Sequence, residues 1–158
     1  MHKKIKIISF YEFIRLDNLE QLKIKLYKFL RKKSSKGTIL LAREGINGAI
    51  SIKNGDSEDF TSFINNLLQK QLAYKIQSHS NHVFIRLKVK IKKEIIKLGQ
   101  KNIFPQKKTG NYVNPNEWDE LISNKNVILL DTRNDYESKI GTFKGSTCVN
   151  SFNFTEFP

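Results

Sequence analysis

The chain has 158 residues, of which 39% are hydrophobic and 11% aromatic, enough to bury a core and to exclude wholesale disorder. It has no stretch approaching the roughly 18 apolar residues of a membrane helix, and its basic start lacks the apolar core of a signal peptide. Its single cysteine excludes an internal disulfide and fits a reducing cytoplasm. The net charge of +13 is uneven, because residues 1–110 carry +16 and residues 111–158 carry −3. The first part would attract a polyanion, although an AT-rich genome would raise the lysine content without selection for binding.

The first elements are a strand and a helix. Residues 4–13 are rich in Ile, Phe and Tyr, as a buried strand should be. Residues 16–33 place leucines at spacings of three and four, which predicts a helix. Asp17 can cap its first turn, and Gly37 is expected to stop it.

A hairpin and a second helix follow. Two short strands are predicted at 38–43 and 48–52, with the pair Asn47-Gly48 as the hairpin signal, because both residues tolerate positive φ. Residues 56–72 then form an apolar stripe at helical spacing, with Asp56 or Ser57 as the cap.

The last predicted strand of this half, residues 82–94, alternates apolar and basic residues. Alternation places one row of basic side chains about 7 Å apart on one face: Arg86, Lys88, Lys90 and Lys92. This row, with Arg43, is the candidate RNA-binding surface, since such side chains neutralise phosphates without reading sequence. A solvated strand face whose lysines discourage edge pairing would show the same pattern.

The order βαββαβ predicts an α+β, ferredoxin-like domain over residues 1–98, with one face of its sheet free of helices. Residues 99–114, with Gly, Pro, Asn and Lys, are predicted to be a linker. From Asn114 and Pro115 a helix signal resumes, and the apolar run 126–131 indicates a buried parallel strand. A second, α/β domain is therefore predicted over residues 115–158.

Asp131 and Arg133 lie at the end of this predicted strand, where active sites of α/β folds lie. We favour a structural role for them, because a helix cap and a stabilising ion pair would use the same residues.

Other candidate sites are weaker. Cys148 lacks the neighbouring glycines, arginine or helix start that would stabilise a thiolate, so it is not predicted to be catalytic. His79 and His82 are three residues apart, but no third ligand lies nearby, so a polar turn is favoured over a metal site. Arg15 follows the first strand without a phosphate-cradling glycine loop, so acylphosphatase activity is not expected.

Five collinear stretches carry a family resemblance: GTILLAREGINGAIS at 37–51, FIRLKVKIKKEIIKLG at 84–99, GNYVNPNEWDELI at 110–122, LLDTRNDYESKIGTFKGS at 129–146 and FTEFP at 154–158. Together they resemble the rhodanese-domain tRNA uridine(34) hydroxylases. The resemblance covers essentially the whole chain. It implies a ferredoxin-like module followed by the start of a rhodanese module.

The resemblance also implies a function, the oxygen-dependent conversion of the wobble uridine of certain tRNAs to 5-hydroxyuridine. The tRNA anticodon region would be the partner and molecular oxygen the co-substrate, in the cytoplasm. Neither a metal motif nor a flavin motif is evident. The family assigns catalysis to a cysteine in a Cys-x-Gly-Gly-x-Arg-Cys-like loop that would lie beyond Pro158, so the chain is expected to be truncated and inactive by itself.

Two alternatives remain. The chain could be a stand-alone RNA-binding remnant that catalyses nothing. Its parent could also be a rhodanese-type sulfurtransferase, which carries sulfur rather than oxygen.

Overall fold

The computed structural model describes residues 4–96, 110–149, 151–152 and 156. The chain forms two compact units, Met1–Ile96 and Lys97–Pro158, and each is described by itself. Most of the predicted linker, residues 99–109, lies outside the described residues, as does the FTEFP stretch except Glu156.

Over residues 4–96, the first unit contains five strands and two α helices, in the order β1 (Ile5–Phe13), α1 (Leu19–Lys32), β2 (Lys36–Ala42), β3 (Gly45–Lys53), α2 (Ser57–Leu68), β4 (Lys75–His79) and β5 (Leu87–Ile91). The strands form one sheet in the order β4-β1-β3-β2-β5. Pairing is antiparallel except between β2 and β5, which are parallel. The elements up to β4 form the βαββαβ arrangement, so the predicted α+β, ferredoxin-like class is confirmed.

The prediction that residues 82–94 form the fourth strand of this arrangement is wrong. The fourth strand is β4, which pairs with β1 at one edge of the sheet. Four of its five residues are exposed, so it lacks the alternation that marks a half-buried strand. The alternation downstream belongs instead to β5, an added strand at the opposite edge.

The predicted hairpin turn at Asn47-Gly48 is also wrong, because the turn between β2 and β3 is Arg43–Glu44. Asn47 and Gly48 lie within β3. Gly48 serves packing there, since a Cβ at this position would lie 2.8 Å from Cζ of Phe10.

The termini of α1 differ from the prediction as well. The N-cap is Asn18, with φ 53°, rather than Asp17. The helix ends at Lys32, and Ser34 takes the left-handed conformation, with φ 51°, that ends many helices. Gly37 is therefore not needed as a stop signal and lies in β2.

The core lies between the two helices and one face of the sheet. Alternate residues of β1, β2 and β3 pack against the apolar sides of α1 and α2. The fully buried members are Ile8, Leu26, Leu30, Ile39, Leu41, Ile46, Ile50, Ile52, Phe60 and Ile64. The helices thus cover one face of the sheet and leave the other without helices.

Among its described residues, the second unit contains two short helices and two short strands: α3 (Pro115–Ser123), β6 (Leu130–Asp131), α4 (Asp135–Ile140) and β7 (Thr147–Cys148). The two strands are parallel. Asn114 caps α3, as predicted, and the carboxylate of Glu117 accepts a hydrogen bond from its backbone N–H. The predicted strand at 126–131 is shorter than expected, since β6 consists only of its last two residues, and Ile128 and Leu130 are exposed rather than buried. The assignment of this unit to the start of a rhodanese domain remains a prediction.

Within the described part of the chain, no helix has both the length and the apolar character needed to span a membrane.

Candidate nucleic-acid interface

The predicted basic row follows an outer edge of the sheet, because β5 is the last strand in the order. The register places Lys88 opposite Thr38 and Lys90 opposite Leu40. Val89, which alternates with the two lysines, is buried in the core. Lys88 and Lys90 therefore project from the face without helices, about 7 Å apart.

Arg86 and Lys92 lie just outside the two ends of β5. The backbone oxygen of Arg86 accepts a hydrogen bond from the N–H of Gly37, at 3.0 Å, and the N–H of Lys92 donates to the oxygen of Leu41, at 2.8 Å. These two bonds hold both ends of the row in register with β2. The structure therefore brings all four basic residues of the row to one edge.

Arg43 lies at one end of the row rather than within it. It is exposed in the turn between β2 and β3, where its backbone oxygen accepts from the N–H of Leu16. Its side chain lines a groove of about 450 Å³ together with Ile91, the last residue of β5, and the loop before α1. Ile91 packs against the core, so this groove is on the helix side of the sheet and Arg43 is not in line with Lys88 and Lys90.

Lys36 is a neighbouring cation that the sequence analysis missed. Its successor Gly37 pairs with Leu87, so Lys36 lies beside Arg86 and extends the basic surface onto β2. The predicted strand begins only at residue 38. A strand starting two residues earlier would have placed Lys36 on the same face as Thr38 by alternation.

Two chain segments cross the helix-free face and frame the row. The connection 80–86 must cross the sheet, because β4 and β5 lie at opposite edges, and His82 is hydrogen-bonded to Ser51 there at 2.7 Å. Beyond β5, the backbone oxygen of Ile95 accepts from the side-chain amide of Asn47 at 3.1 Å. The face is thus covered at two places and open between them.

Asp131 and Arg133 form a closed hydrogen-bonded pair in the second unit. Nε and Nη2 of Arg133 donate to Oδ1 and Oδ2 of Asp131, at 2.9 and 2.6 Å. Nη2 also donates to the backbone oxygen of Gly141, and Thr142 Oγ1 donates to Oδ2 of Asp131, both at 2.7 Å. These hydrogen bonds hold the pKa of the Asp131 carboxyl well below its usual range, and Arg133 has the larger effect and Thr142 the next largest. The pair joins the strand end to the turn after α4, which supports the structural role proposed for it.

The two histidines considered as metal ligands do not converge. His79 Nδ1 accepts a hydrogen bond from the backbone N–H of Asn81, whereas His82 is engaged with Ser51. Among the described residues there is no group of three or more His, Cys, Asp or Glu side chains that could hold a metal ion.

For the other two weak candidates the absence of a catalytic role remains a prediction, and the structure gives their positions. Cys148 is the last residue of β7 and pairs with Asp131 of β6. The side chain of Arg15 is 85% exposed and contacts Asp17 at 3.8 Å.

A family model identifies the class of protein. The UPF0176 acylphosphatase like domain matches residues 5–95, which is more than half of the chain and includes every strand and helix of the first unit. The chain belongs to this family.

Curated relatives are more specific. The chain is 41% identical over 160 residues to the tRNA uridine(34) hydroxylase of Picosynechococcus sp., covering 99% of this chain and 53% of that protein. It is 40% identical over 153 residues to the tRNA uridine(34) hydroxylase of Agrobacterium fabrum, covering 96% of this chain and 49% of that protein. The chain thus spans about half the length of the curated relatives it matches.

Among solved structures, the chain is similar to one described as BlrP1 BLUF, with a TM-score of 0.46 and 12% identity over 56% of this chain and 64% of that one. This similarity is too low to bear on function.

Proposed function

We propose that the chain is part of a tRNA uridine(34) hydroxylase, which converts the wobble uridine to 5-hydroxyuridine with molecular oxygen in the cytoplasm. The observation that carries the proposal is the identity of about 40% to two such hydroxylases over nearly the entire chain. Matching of this extent includes residues of both units, so it reaches beyond the shared ferredoxin-like fold.

In this proposal the first unit holds the anticodon region of the tRNA. The row Arg86, Lys88, Lys90 and Lys92 supports this role, because it presents four cations along one open edge of the sheet. Regularly spaced cations neutralise backbone phosphates and give salt-dependent, sequence-independent affinity. Base recognition and chemistry would then belong to other parts of the hydroxylase.

We expect the 158 residues alone not to hydroxylate tRNA. Their one thiol, Cys148, is the last residue of a two-residue strand, and the cation that interacts with it, Arg133, is already bound by Asp131. A reactive thiolate needs N–H groups or cations aimed at the sulfur. The ion pair of Asp131 and Arg133 would stabilise the second unit rather than contact the uridine.

Binding of an anticodon stem-loop with uridine at position 34 tests the proposed interface. The double variant Lys88→Glu/Lys90→Glu should bind at least about tenfold more weakly than the parent chain, and the salt dependence of log Kd should decrease by about one unit of slope for each phosphate that is no longer neutralised. Fluorescence anisotropy across a salt series measures both quantities.

The matched control is Lys25→Glu/Lys75→Glu, which changes the net charge equally at two exposed lysines on α1 and β4. It should change affinity much less, because only the general attraction of the protein is reduced. Equal losses in the two double variants would show that net charge, and not the row, determines binding.

Mass spectrometry of tRNA from cells lacking the gene tests the reaction. We expect loss of 5-hydroxyuridine and its derivatives at position 34. Loss of a thiolated base with 5-hydroxyuridine intact would instead identify a sulfurtransferase, and unchanged tRNA would leave a binding role without catalysis.

A further inference from the structure

A separate basic pocket lies where β1 begins and β3 ends, with a volume of about 650 Å³. Its lining residues are polar or basic apart from one isoleucine and one glycine, and none is acidic: Lys4, Ile5, Lys53, Asn54, Gly55, Ser80, Asn81 and His82. The predicted RNA-binding row does not contribute to it.

The pocket is held together by backbone and side-chain bonds from three segments. Ile5 pairs with Lys53 across β1 and β3, and the N–H of Asn54 donates to the oxygen of Lys4 at 2.8 Å. These contacts join the first strand to the end of the third. The crossing segment completes the wall by placing His82 over the helix-free face.

His82 is fixed by a serine that has no exposed surface. Ser51 Oγ lies 2.7 Å from Nδ1 of His82, and it lies 3.5 Å from the backbone oxygen of Lys36, to which it can donate. With both ring nitrogens protonated, Nδ1–H would donate to Ser51, leaving Nε2–H for a ligand. Burial of the ring, and then the positive charge of Lys36, lower the pKa of His82, so an anion in the pocket would favour uptake of a proton.

The positive charge around the pocket is not neutralised by nearby carboxylates. Three lysines contribute to it: Lys4 and Lys53 in the lining, and Lys36, which lies opposite Ser51 in the register. Within the described residues, none of the three forms an ion pair. The carboxylates that follow β3, Asp56 and Asp59, are instead both bound by Lys33, at 2.6 and 2.7 Å.

We propose that this pocket binds a phosphate group, with Lys4 and Lys53 providing positive charge and Nε2–H of His82 donating to a phosphate oxygen. Charge-assisted bonds of this kind are the strong ones in phosphate recognition. The group could be a phosphodiester of RNA or a free phosphate or phosphomonoester. Only the RNA source rests on the proposed function.

The first arm of the test uses inorganic phosphate and the complete chain. The NMR resonances of the His82 ring are followed during a phosphate titration at constant ionic strength, with chloride as the compensating anion and His79 as the internal reference. We expect a saturable shift of His82 alone, a higher pH midpoint for its titration in phosphate, and binding about tenfold weaker in Lys53→Gln. Lys75→Gln, at the exposed edge of β4, should leave phosphate binding unchanged.

The absence of a saturable His82 shift, or equal shifts in the parent chain and Lys53→Gln, would overturn the inference. The pH midpoint of the His82 titration provides a second check. Phosphate should raise this midpoint in the parent chain, and the same folded chain without phosphate should not show the rise, so the effect cannot come from structural damage in a variant.

The second arm measures binding of the anticodon stem-loop with phosphate as competitor. If the pocket takes an RNA phosphate, phosphate competes and Lys53→Gln weakens binding. If phosphate binds but neither effect occurs, the site is supported and its ligand is a free phosphate or phosphomonoester. If the stem-loop binds through Lys88 and Lys90 while phosphate does not bind at all, this inference fails and the proposed function stands.

Discussion

Gly48 lies beneath the ring of Phe10 in the core of the first unit. A Cβ at Gly48 would be 2.8 Å from Phe10 Cζ and 3.1 Å from Ile39 Cγ1, and both neighbours are buried. Gly48→Ala therefore requires the ring to move, and overpacking of this kind costs about 1–3 kcal/mol. Urea unfolding followed by far-UV circular dichroism should show a lower midpoint.

Gly55→Ala is the control for this substitution, because a Cβ at Gly55 meets no atom within 4 Å. It should leave the midpoint nearly unchanged. A Gly48→Ala variant as stable as Gly55→Ala would contradict the packing role.

Tyr74 offers a pH-dependent test of the same unit. Its hydroxyl donates to Oδ1 of Asn65 at 2.7 Å, and burial raises its pKa to about 12 from 10.0. Because the folded state holds this proton more tightly than the unfolded state, its contribution to stability is complete below pH 10 and decreases as the pH rises toward 12.

In a tyrosinate absorbance titration, one of the five tyrosines should therefore ionise late, and Tyr74→Phe should abolish that step. The variant should also lose about 1 kcal/mol of unfolding free energy at neutral pH, for one hydrogen bond. If the late step persists in Tyr74→Phe, the assignment of the raised pKa is wrong.

At the scale of elements, the sequence pattern predicts the strands of the first unit whose side chains enter the core. It does not predict β4, whose residues are mostly exposed. β1 to β3 carry buried alternate residues, so their existence follows from pattern. β4 is a polar edge strand, and only its pairing with β1 identifies it. The predicted βαββαβ order is therefore correct, although its last strand is β4 and not residues 82–94.

In the candidate sites too, some features follow from the local sequence pattern and others depend on how distant segments pair. The row on β5 follows from alternation within one strand. Lys36, Ser51 and His82 come from three different segments, and they meet only because the register and the crossing 80–86 bring them together. Parallel pairing of β5 with β2 cannot be deduced from local pattern, since it depends on the path of that crossing.

The pair Asp131 and Arg133 links the two short strands of the second unit to α4, and its effect should depend on pH. The depressed pKa of Asp131 means that the ion pair contributes full stability above the ordinary carboxyl value of 3.8 and loses it as the pH falls below that value. Asp131→Asn should lower the urea midpoint of the second unit at neutral pH, with a difference from the parent chain that shrinks in acid.

Fluorescence of Trp118 measures this, because it is the only tryptophan and its ring contacts Phe143 at a centroid distance of 5.5 Å. Glu120→Gln is the control, since it removes one carboxylate charge at an exposed position on α3, where surface charges contribute little to stability. An equal effect of Asp131→Asn at neutral and acidic pH would contradict the ionic origin.

At the scale of the whole molecule, the sequence shows that positive charge is unevenly distributed, and the structure shows where that charge lies. Most of the excess lysine and arginine belongs to the first unit, where the helix-free face carries both the row and the phosphate pocket. From composition alone, lysine selected for binding cannot be distinguished from lysine that an AT-rich genome would encode without such selection. The arrangement supports binding, because several cations share one face without bound carboxylates among the described residues.

The two units should also differ in how firmly they are held. All buried hydrophobic side chains among the described residues belong to the first unit, whereas Ile128, Ile140 and Phe152 in the second are at least 79% exposed. Amides open locally where few apolar contacts protect them. Hydrogen exchange should therefore be slow through β1, β3 and both helices of the first unit and much faster through residues 115–149. Trp118 fluorescence should also change at a lower urea concentration than the circular dichroism of the first unit. Uniformly slow hydrogen exchange through residues 115–149 would contradict the predicted difference between the units, because it would require a second core of comparable stability.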